Sequence, residues 1–393
     1  MSVDGTVSAT GSASSAIFAE SAGQGASLIT VTVHQGGFVS GGTDFSVGDG
    51  YGAGVYLVGG GTTLATANVV DNSGVITSIR GDVGTAIYGT QGYTTVNNSG
   101  SIIGSVNLGN GGGTATIENT GRIVAGSQIN LGARGKLDNE GTLAIGAGHR
   151  IATTTIVGNL DQGARGHLVV DTDHAKGASD LLVVKGNADL AGTIDVNAES
   201  VANRPVTVLT ASGDLTVDPG LATTRANLFR SNAERVGSNL VIKPVAEFAE
   251  AASGLGANQR SVAAHLQHLW DSGADLGIGF TALAGIGGVA DYASALSSVG
   301  GETAGTVAAS ATARAMPSSP TCSTNARLKT RVFGAVRSPA MPIRIQASMR
   351  WATRRRHGHS RPAPNRKSRP AGPLADRWPM KTARSAAMAV SLL

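Results

Sequence analysis

Apolar positions along this chain keep two different rhythms. Up to about residue 245 they alternate with polar ones over short runs, as in TATIEN, where Ala115 and Ile117 lie between Thr114, Thr116 and Glu118. A period of two is what a half-buried strand requires. From residue 257 the rhythm changes. ANQRSVAAHLQHLWDSGA places Val262, Leu266 and Leu269 on one face of a helix, with Asn258 as its expected cap. A second helical run, ADYASALSSVGGETAGTVAAS, is predicted over 290–310.

Within the strand region one phrase returns four times: VDNSGVI, VNNSGSI, IENTGRI and LDNEGTL, each of the form apolar-x-Asn-x-Gly-x-apolar. Its asparagines, Asn72, Asn98, Asn119 and Asn139, are 26, 21 and 20 residues apart. A near-fixed period in that range predicts a solenoid with one repeat per coil. Asn and Gly tolerate left-handed backbone angles, so the four asparagines and Gly74, Gly100, Gly121 and Gly141 are expected at corners where the chain turns. In a stack of coils each Asn amide can pair with the one above. Such a ladder satisfies buried polar groups that otherwise cost roughly 1–3 kcal/mol apiece.

A second phrase, in SAIFAES, GAGVYLVG and GTAIYGTQ, sets a small residue before an aliphatic and an aromatic, with Ile17, Val55 and Ile87 spaced 38 and 32 apart. The wider spacing predicts early coils with loop insertions. Residues 167–196 read as three strands with turn-like breaks, and 204–244 continue in the same vein. Residues 15–245 at ~20–25 per coil predict on the order of ten coils and a rod of ~50 Å.

Composition divides the chain. Residues 1–302 carry 14 basic and 25 acidic side chains, a balance of −11, whereas 303–393 carry 17 basic and 1 acidic, a balance of +16. The small net charge of +5 hides that split. Glycine is abundant in the first part, but without the every-third spacing of collagen, and the regular aliphatic content argues against disorder. The lone cysteine, Cys322, excludes an internal disulfide framework. No run is long and apolar enough for a spanning helix, and MSVDGTVSATGS is not a signal peptide, so an exported form would need a different N-terminus.

Taken in order, the Asn-x-Gly coils, SDLLVVKGNADLAGTIDV, VTVLTASG, NQRSVAAHLQ and ALSSVGGE resemble the autotransporters of Gram-negative bacteria, in particular those with a pertactin-like passenger, over roughly residues 15–312. The resemblance implies a right-handed parallel β-helix carried to the cell surface, its last coils acting as a folding seed. It also implies that the helical segment would thread an outer-membrane barrel of about a dozen antiparallel strands. The expected fold class is therefore all-β: a right-handed parallel β-helix followed by a short helical linker and a disordered basic tail. The expected divisions are a disordered N-terminus at 1–14, passenger coils at 15–166, autochaperone-like terminal coils at 167–250, a helical linker at 251–312 and an Arg/Pro/Ser-rich tail at 313–393.

The tail lacks the alternating segments and aromatic girdles of a barrel. Its charge switch falls where the barrel should begin, so it reads as translation in a slipped frame. The alternative is a basic arm, in which Arg354, Arg355, Arg356, Arg361, Arg366 and Lys367 would attract phosphate. Nucleic acid is not the expected partner. The expected partners are a ligand on a host or neighbouring cell and, for an intact family member at the cell surface, the outer membrane. The chain as written, without barrel or signal peptide, is expected to stay in the cytoplasm.

No catalytic, cofactor or metal site is predicted. Asp171, Asp173, His174 and Asp180 form the densest set of potential ligands, weighed as a calcium or acid pair against a solvated loop; the turn-like AKGAS between them favours the loop. His265 and His268, three apart on the helix, have no third ligand in reach, and His357 and His359 are in the same position. There is no G-x-S-x-G elbow. NGGG at 110–113 is not followed by the Lys-Ser or Lys-Thr of a phosphate loop. A polysaccharide-cleaving solenoid would converge carboxylates in a groove. Asp71, Glu118, Asp138 and Glu140 instead sit beside the corner asparagines, so adhesion or display is expected ahead of polysaccharide binding or cleavage.

Overall fold

The computed structural model describes residues 1–300 except 22–27, 44–50, 62, 64, 65, 253 and 275; the basic tail and the last residues of the second helical run lie outside the described residues. What is described is mostly β, with long parallel sheets and three helices.

One sheet has nine strands, all parallel: Ser2–Val3, Thr30–Val33, Asn68–Asn72, Tyr93–Asn98, Thr114–Asn119, Lys136–Asn139, Asn159–Gln162, Ala188–Leu190 and Leu215–Val217. Each strand pairs with the next in the series, one rung further along the chain. The period-of-two pattern explains the face that each buries. Thr114–Asn119 alternates half-buried or exposed Thr and Glu with buried Ala115, Ile117 and Asn119. Register then brings like residues together. Val31, Val70, Val96, Ile117, Leu137, Leu160, Ala188 and Leu215 occupy one column, and all are buried.

The second sheet has two such columns, joined where Ser101–Asn107 and Arg122–Asn130 each span both. The first half of Ser101–Asn107 pairs with Val75–Ser78 and its second half with Thr85–Gly89. Arg122–Asn130 divides in the same way between Thr142–Ile145 and Thr153–Val157. At these two forks the pairings branch, and the parallel strands on either side continue as separate columns. One column stacks Val7, Val39, Ile76, Ile102, Ile123, Leu143, Leu168 and Ile194. The other stacks Ile17, Val55, Ile87, Val106, Ile129, Ile156, Val184 and Ala211. The three aliphatic columns meet in one continuous core.

Three expectations are corrected here. Residues 1–14 are not disordered: Ser2–Val3 and Thr6–Ser8 pair with Thr30–Val33 and Phe38–Gly41, and the Met1 ammonium donates to the Thr30 carbonyl at 2.7 Å. Gly256, not Asn258, caps the first helix, α1 (Ala257–Asp271), and Gln259 Oε1 reaches back to accept the Gly256 N–H at 2.8 Å. The buried stripe of α1 is Ala263, Leu266 and Trp270, while Val262 and Leu269 are only partly covered.

The parallel stacking ends in an antiparallel hairpin, Phe229–Val236 with Asn239–Ala246, which pairs along Val206–Ala211 and covers its edge. Beyond it lie α1, α2 (Ile278–Ala284) and α3 (Val289–Val299). They enclose a second core of a different kind. Phe229, Phe248, Trp270 and Phe280 contact one another edge-to-face or stacked, with centroids 5.0–5.8 Å apart for the nearest pairs. Tyr292 Oη donates to the Phe248 carbonyl at 3.1 Å, and burial pushes its phenol pKa up to about 12. Aromatics are scarce in this chain, and here they give a short segment without a sheet enough apolar area to pack.

Candidate functional site

The four corner asparagines occupy one register position of the nine-stranded sheet. Asn72 Nδ2 donates to Asn98 Oδ1, Asn98 Nδ2 to Asn119 Oδ1 and Asn119 Nδ2 to Asn139 Oδ1, each at 2.7 Å. The second N–H of each of these donors goes to a backbone carbonyl of the next rung, on Ser101, Arg122 and Thr142 at 3.1–3.2 Å. All four side chains are buried. The ladder continues where the motif stops: Asn139 Nδ2 donates to Gln162 Oε1 at 3.4 Å, and Gln162 Nε2 closes the series on the Ala191 carbonyl at 2.8 Å. At the ends the same column is aliphatic, with Val33 before Asn72 and Leu190 and Val217 after Gln162.

Gly74, Gly100, Gly121 and Gly141 are required for a reason other than the left-handed angle expected, since none of them has a positive φ. A Cβ on each would lie 2.2–2.3 Å from the carbonyl oxygen of the glycine one rung earlier, Gly37, Gly74, Gly100 and Gly121 respectively. The same carbonyls accept the N–H of Val75, Ser101, Arg122 and Thr142 at 2.8–2.9 Å. The corner is a backbone-on-backbone contact that leaves no room for a side chain.

The aspartate–histidine cluster is not the solvated loop expected. Asp171, Asp173, His174 and Asp180 are all buried, because Ala178–Ser179 folds back antiparallel on His167–Asp173. Asp173 accepts from Ser200 and from the Lys176 ammonium at 2.6 Å, and that ammonium is the main reason its pKa is lowered to about 2. His174 Nδ1 donates to the Arg204 carbonyl at 2.8 Å, and burial lowers its pKa. Asp180 accepts the Ala152 N–H at 2.7 Å and the Asp171 N–H at 2.8 Å. Burial nevertheless raises its pKa to about 6. Among the described residues no group of three or more His, Cys, Asp or Glu side chains could hold a metal ion. His265 and His268 are exposed on α1, and His357 and His359 lie outside the described residues.

The carboxylates beside the corner asparagines also align across strands. Asp71, Glu118 and Asp138 are in register, Asn97 stands between the first two, and Asp161 and Asp189 extend the column. Like charges stacked at ~4.8 Å repel. Asn97 Nδ2 relieves Asp71 at 2.7 Å, and the Lys136 ammonium bridges Asp138 and Asp161 at 2.5 and 2.9 Å, which raises the Lys136 pKa. Glu140 lies apart and pairs with Arg165 at 3.3 Å. The sequence pointed to the first members through their neighbouring asparagines; Asp161 and Asp189 carry no such flag, because Gln162 and Leu190 follow them.

Two adjoining cavities sit on the second sheet, where its columns fork. One, of about 150 Å³, is lined by Arg122, His149, Asp171, Asp180 and Asn197 together with Ala144 and Val169. The other, of about 290 Å³, is lined by Asp82, Arg150, Ser127 and Thr153. They share Gly146, and the segment that follows it lines both, His149 on the smaller and Arg150 to Ala152 on the larger. That segment is pinned by Asp82 Oδ2, which accepts from Arg150 at 2.7 Å and from the Ala147 N–H at 3.0 Å. In the smaller cavity Asn197 Nδ2 donates to Asp171 Oδ1 at 3.0 Å. Of its lining residues the sequence singled out Asp171 and Asp180 alone, because the walls come from residues up to 75 positions apart.

On the outside of the earliest rungs the second repeated phrase stacks Phe18, Tyr56 and Tyr88 edge-to-face, with centroids 5.2 and 5.0 Å apart. Ile17, Val55 and Ile87 are in register beneath them. No known family model matches the chain, and no curated protein matches it.

Proposed function

We propose that the described part of this chain is the passenger of an autotransporter: a right-handed parallel β-helix displayed at the cell surface for adhesion or interaction. The observation that carries this reading is the recurrence of three aliphatic columns in register, with an amide ladder running between rungs 20–26 residues apart. A stack of that kind presents outward side chains at ~4.8 Å intervals and needs no catalytic group to act as a binding surface. The hairpin and helices that cover the last rungs fit the role of a terminal folding seed, since a covered edge cannot pair with other chains. Export would use an outer-membrane barrel of the kind that the resemblance implies. No described helix is long and apolar enough to cross a membrane, which has no bearing on a barrel.

The test is to supply the chain with a signal peptide and an outer-membrane barrel and follow it on intact bacteria. Protease-accessible passenger, together with gained attachment to epithelial cells or matrix, is the expected result. A passenger that stays inaccessible while the barrel inserts overturns the reading.

One observation favours a second reading, polysaccharide cleavage. Asp171 and Asp180 line one cleft, and the Asp180 pKa of about 6 suits a general acid. Turnover of any polysaccharide by the purified chain, lost in Asp180→Asn, would put this reading first.

A further inference from the structure

The smaller cleft on the forked sheet has an arrangement of unused hydrogen-bonding groups that adhesion alone does not require. On one side, the Arg122 guanidinium and the His149 ring make no hydrogen bond or ion pair with any other described residue, and both residues are exposed. On the other, Asn197 already donates to Asp171 Oδ1, which leaves Asp171 Oδ2 and Asn197 Oδ1 as acceptors without a partner among the described residues. Ala144 and Val169 line the same cleft and add small apolar surface against which a ring can lie. The cleft thus offers a guanidinium and an imidazole without partners, free acceptors and an apolar patch.

Its size narrows the choice. At about 150 Å³ it is smaller than the ~300–1,000 Å³ that encloses a drug-sized ligand, and it suits a single ring. The neighbouring cavity of about 290 Å³ shares Gly146 with it and gives a second unit somewhere to go. A simple anion would satisfy Arg122 and His149 but would face Asp171. A neutral sugar would satisfy Asp171 and Asn197 but leave the guanidinium unused. A sugar ring that carries both a carboxylate and hydroxyls satisfies both sides, and a planar guanidinium fork matches a carboxylate in two parallel hydrogen bonds.

We propose that this cleft binds one hexuronate unit of an acidic polysaccharide, with the sugar carboxylate on Arg122 and His149 and its hydroxyls on Asp171 and Asn197. The next unit along the polymer occupies the adjoining cavity beside the Asp82–Arg150 pair. This rests on the reading of the chain as a surface-displayed binding protein and names the class of ligand that it takes.

The test is titration calorimetry on the purified full chain. Tetragalacturonate should bind at least tenfold more tightly than the same tetramer with its carboxyls reduced to alcohols. It should also bind at least tenfold more tightly than free galacturonate, which separates a polymer from a free sugar acid as the source. Arg122→Ala should lose at least tenfold in affinity, and His149→Ala a smaller factor, with both variants melting like the parent because neither side chain is buried. Equal affinity for the carboxyl-reduced tetramer, or no change in Arg122→Ala, overturns the proposal, as does tighter binding of free glycine, which would make the cleft a site for zwitterions. A chain that attaches to cells from a barrel fusion but ignores uronates sinks this inference and leaves the display reading intact. Uronate binding by a chain that never reaches the surface does the reverse.

Discussion

Truncating Asn119 tests the amide ladder most directly, because this side chain has a ladder neighbour on each side. In Asn119→Ala the Asn98 Nδ2 group loses its acceptor and Asn139 Oδ1 loses its donor, both at contacts of 2.7 Å. Neither can turn to water, since both side chains are buried. Each stranded buried group costs roughly 1–3 kcal/mol, so the loss should be about 2–6 kcal/mol. Urea unfolding of the full chain followed by far-UV circular dichroism reads it. The double variant Asn98→Ala, Asn119→Ala should cost less than the sum of the singles by about 1–3 kcal/mol, because the second truncation removes a group that the first had stranded. Asn72→Ala and Asn139→Ala, three rungs and ~14 Å apart, share no contact and should add within ~0.5 kcal/mol. A loss below about 1 kcal/mol for Asn119→Ala, or a zero coupling with Asn98→Ala, refutes the reasoning: the asparagines would then be tolerated in the column without holding it together.

Asp180 should give the protein an unusual pH dependence. Its pKa is raised by burial to about 6 from an ordinary 3.8, so the folded state binds more protons between those values and stability should fall by ~3 kcal/mol as pH rises from about 4 to 6. Urea midpoints across that range check this, and the slope should vanish in Asp180→Asn. Asp173 has the opposite sign: with a pKa of about 2, its contribution should persist above pH 4 and disappear as pH falls toward 2, a loss that Asp173→Asn removes. Gly100→Ala should destabilise by at least ~1–3 kcal/mol, since its Cβ would sit 2.2 Å from the Gly74 carbonyl oxygen. Gly5→Ala, with open space around the new methyl and no positive φ, should be neutral or slightly stabilising; equal effects at the two sites would discount the close-contact account. Trp270→Ala should cost ~3–5 kcal/mol in the aromatic cap and increase protease cleavage within 255–300, while the amide protection of Thr114–Asn119 stays unchanged in hydrogen exchange.

Strands and their recurrence were legible in the linear pattern. Alternating Thr and aliphatic residues announced strands, and the twenty-odd-residue recurrence of Asn-x-Gly announced that those strands come back to the same place. Both signals are local or periodic, so both survive in one dimension. The same holds for the phrase around Ile17, Val55 and Ile87, whose irregular spacing still leads to register.

Which different residues share a column is settled in three dimensions and nowhere else. Gln162 takes the place of an asparagine because its longer amide still reaches Asn139, and Val33 and Leu190 stand at the same position without any amide. The corner glycines look like turn residues in the sequence, yet it is the backbone of the neighbouring rung that excludes a side chain there. Asp171 and Asp180, nine residues apart across a turn-like stretch, are buried because the hairpin between them folds back on its own strand. The cleft of Arg122, His149 and Asn197 exists only because stacking carries three distant rungs side by side. Periodicity records that rungs stack, but the chemistry that accumulates on a face is set by register across rungs, a quantity with no local trace in the chain.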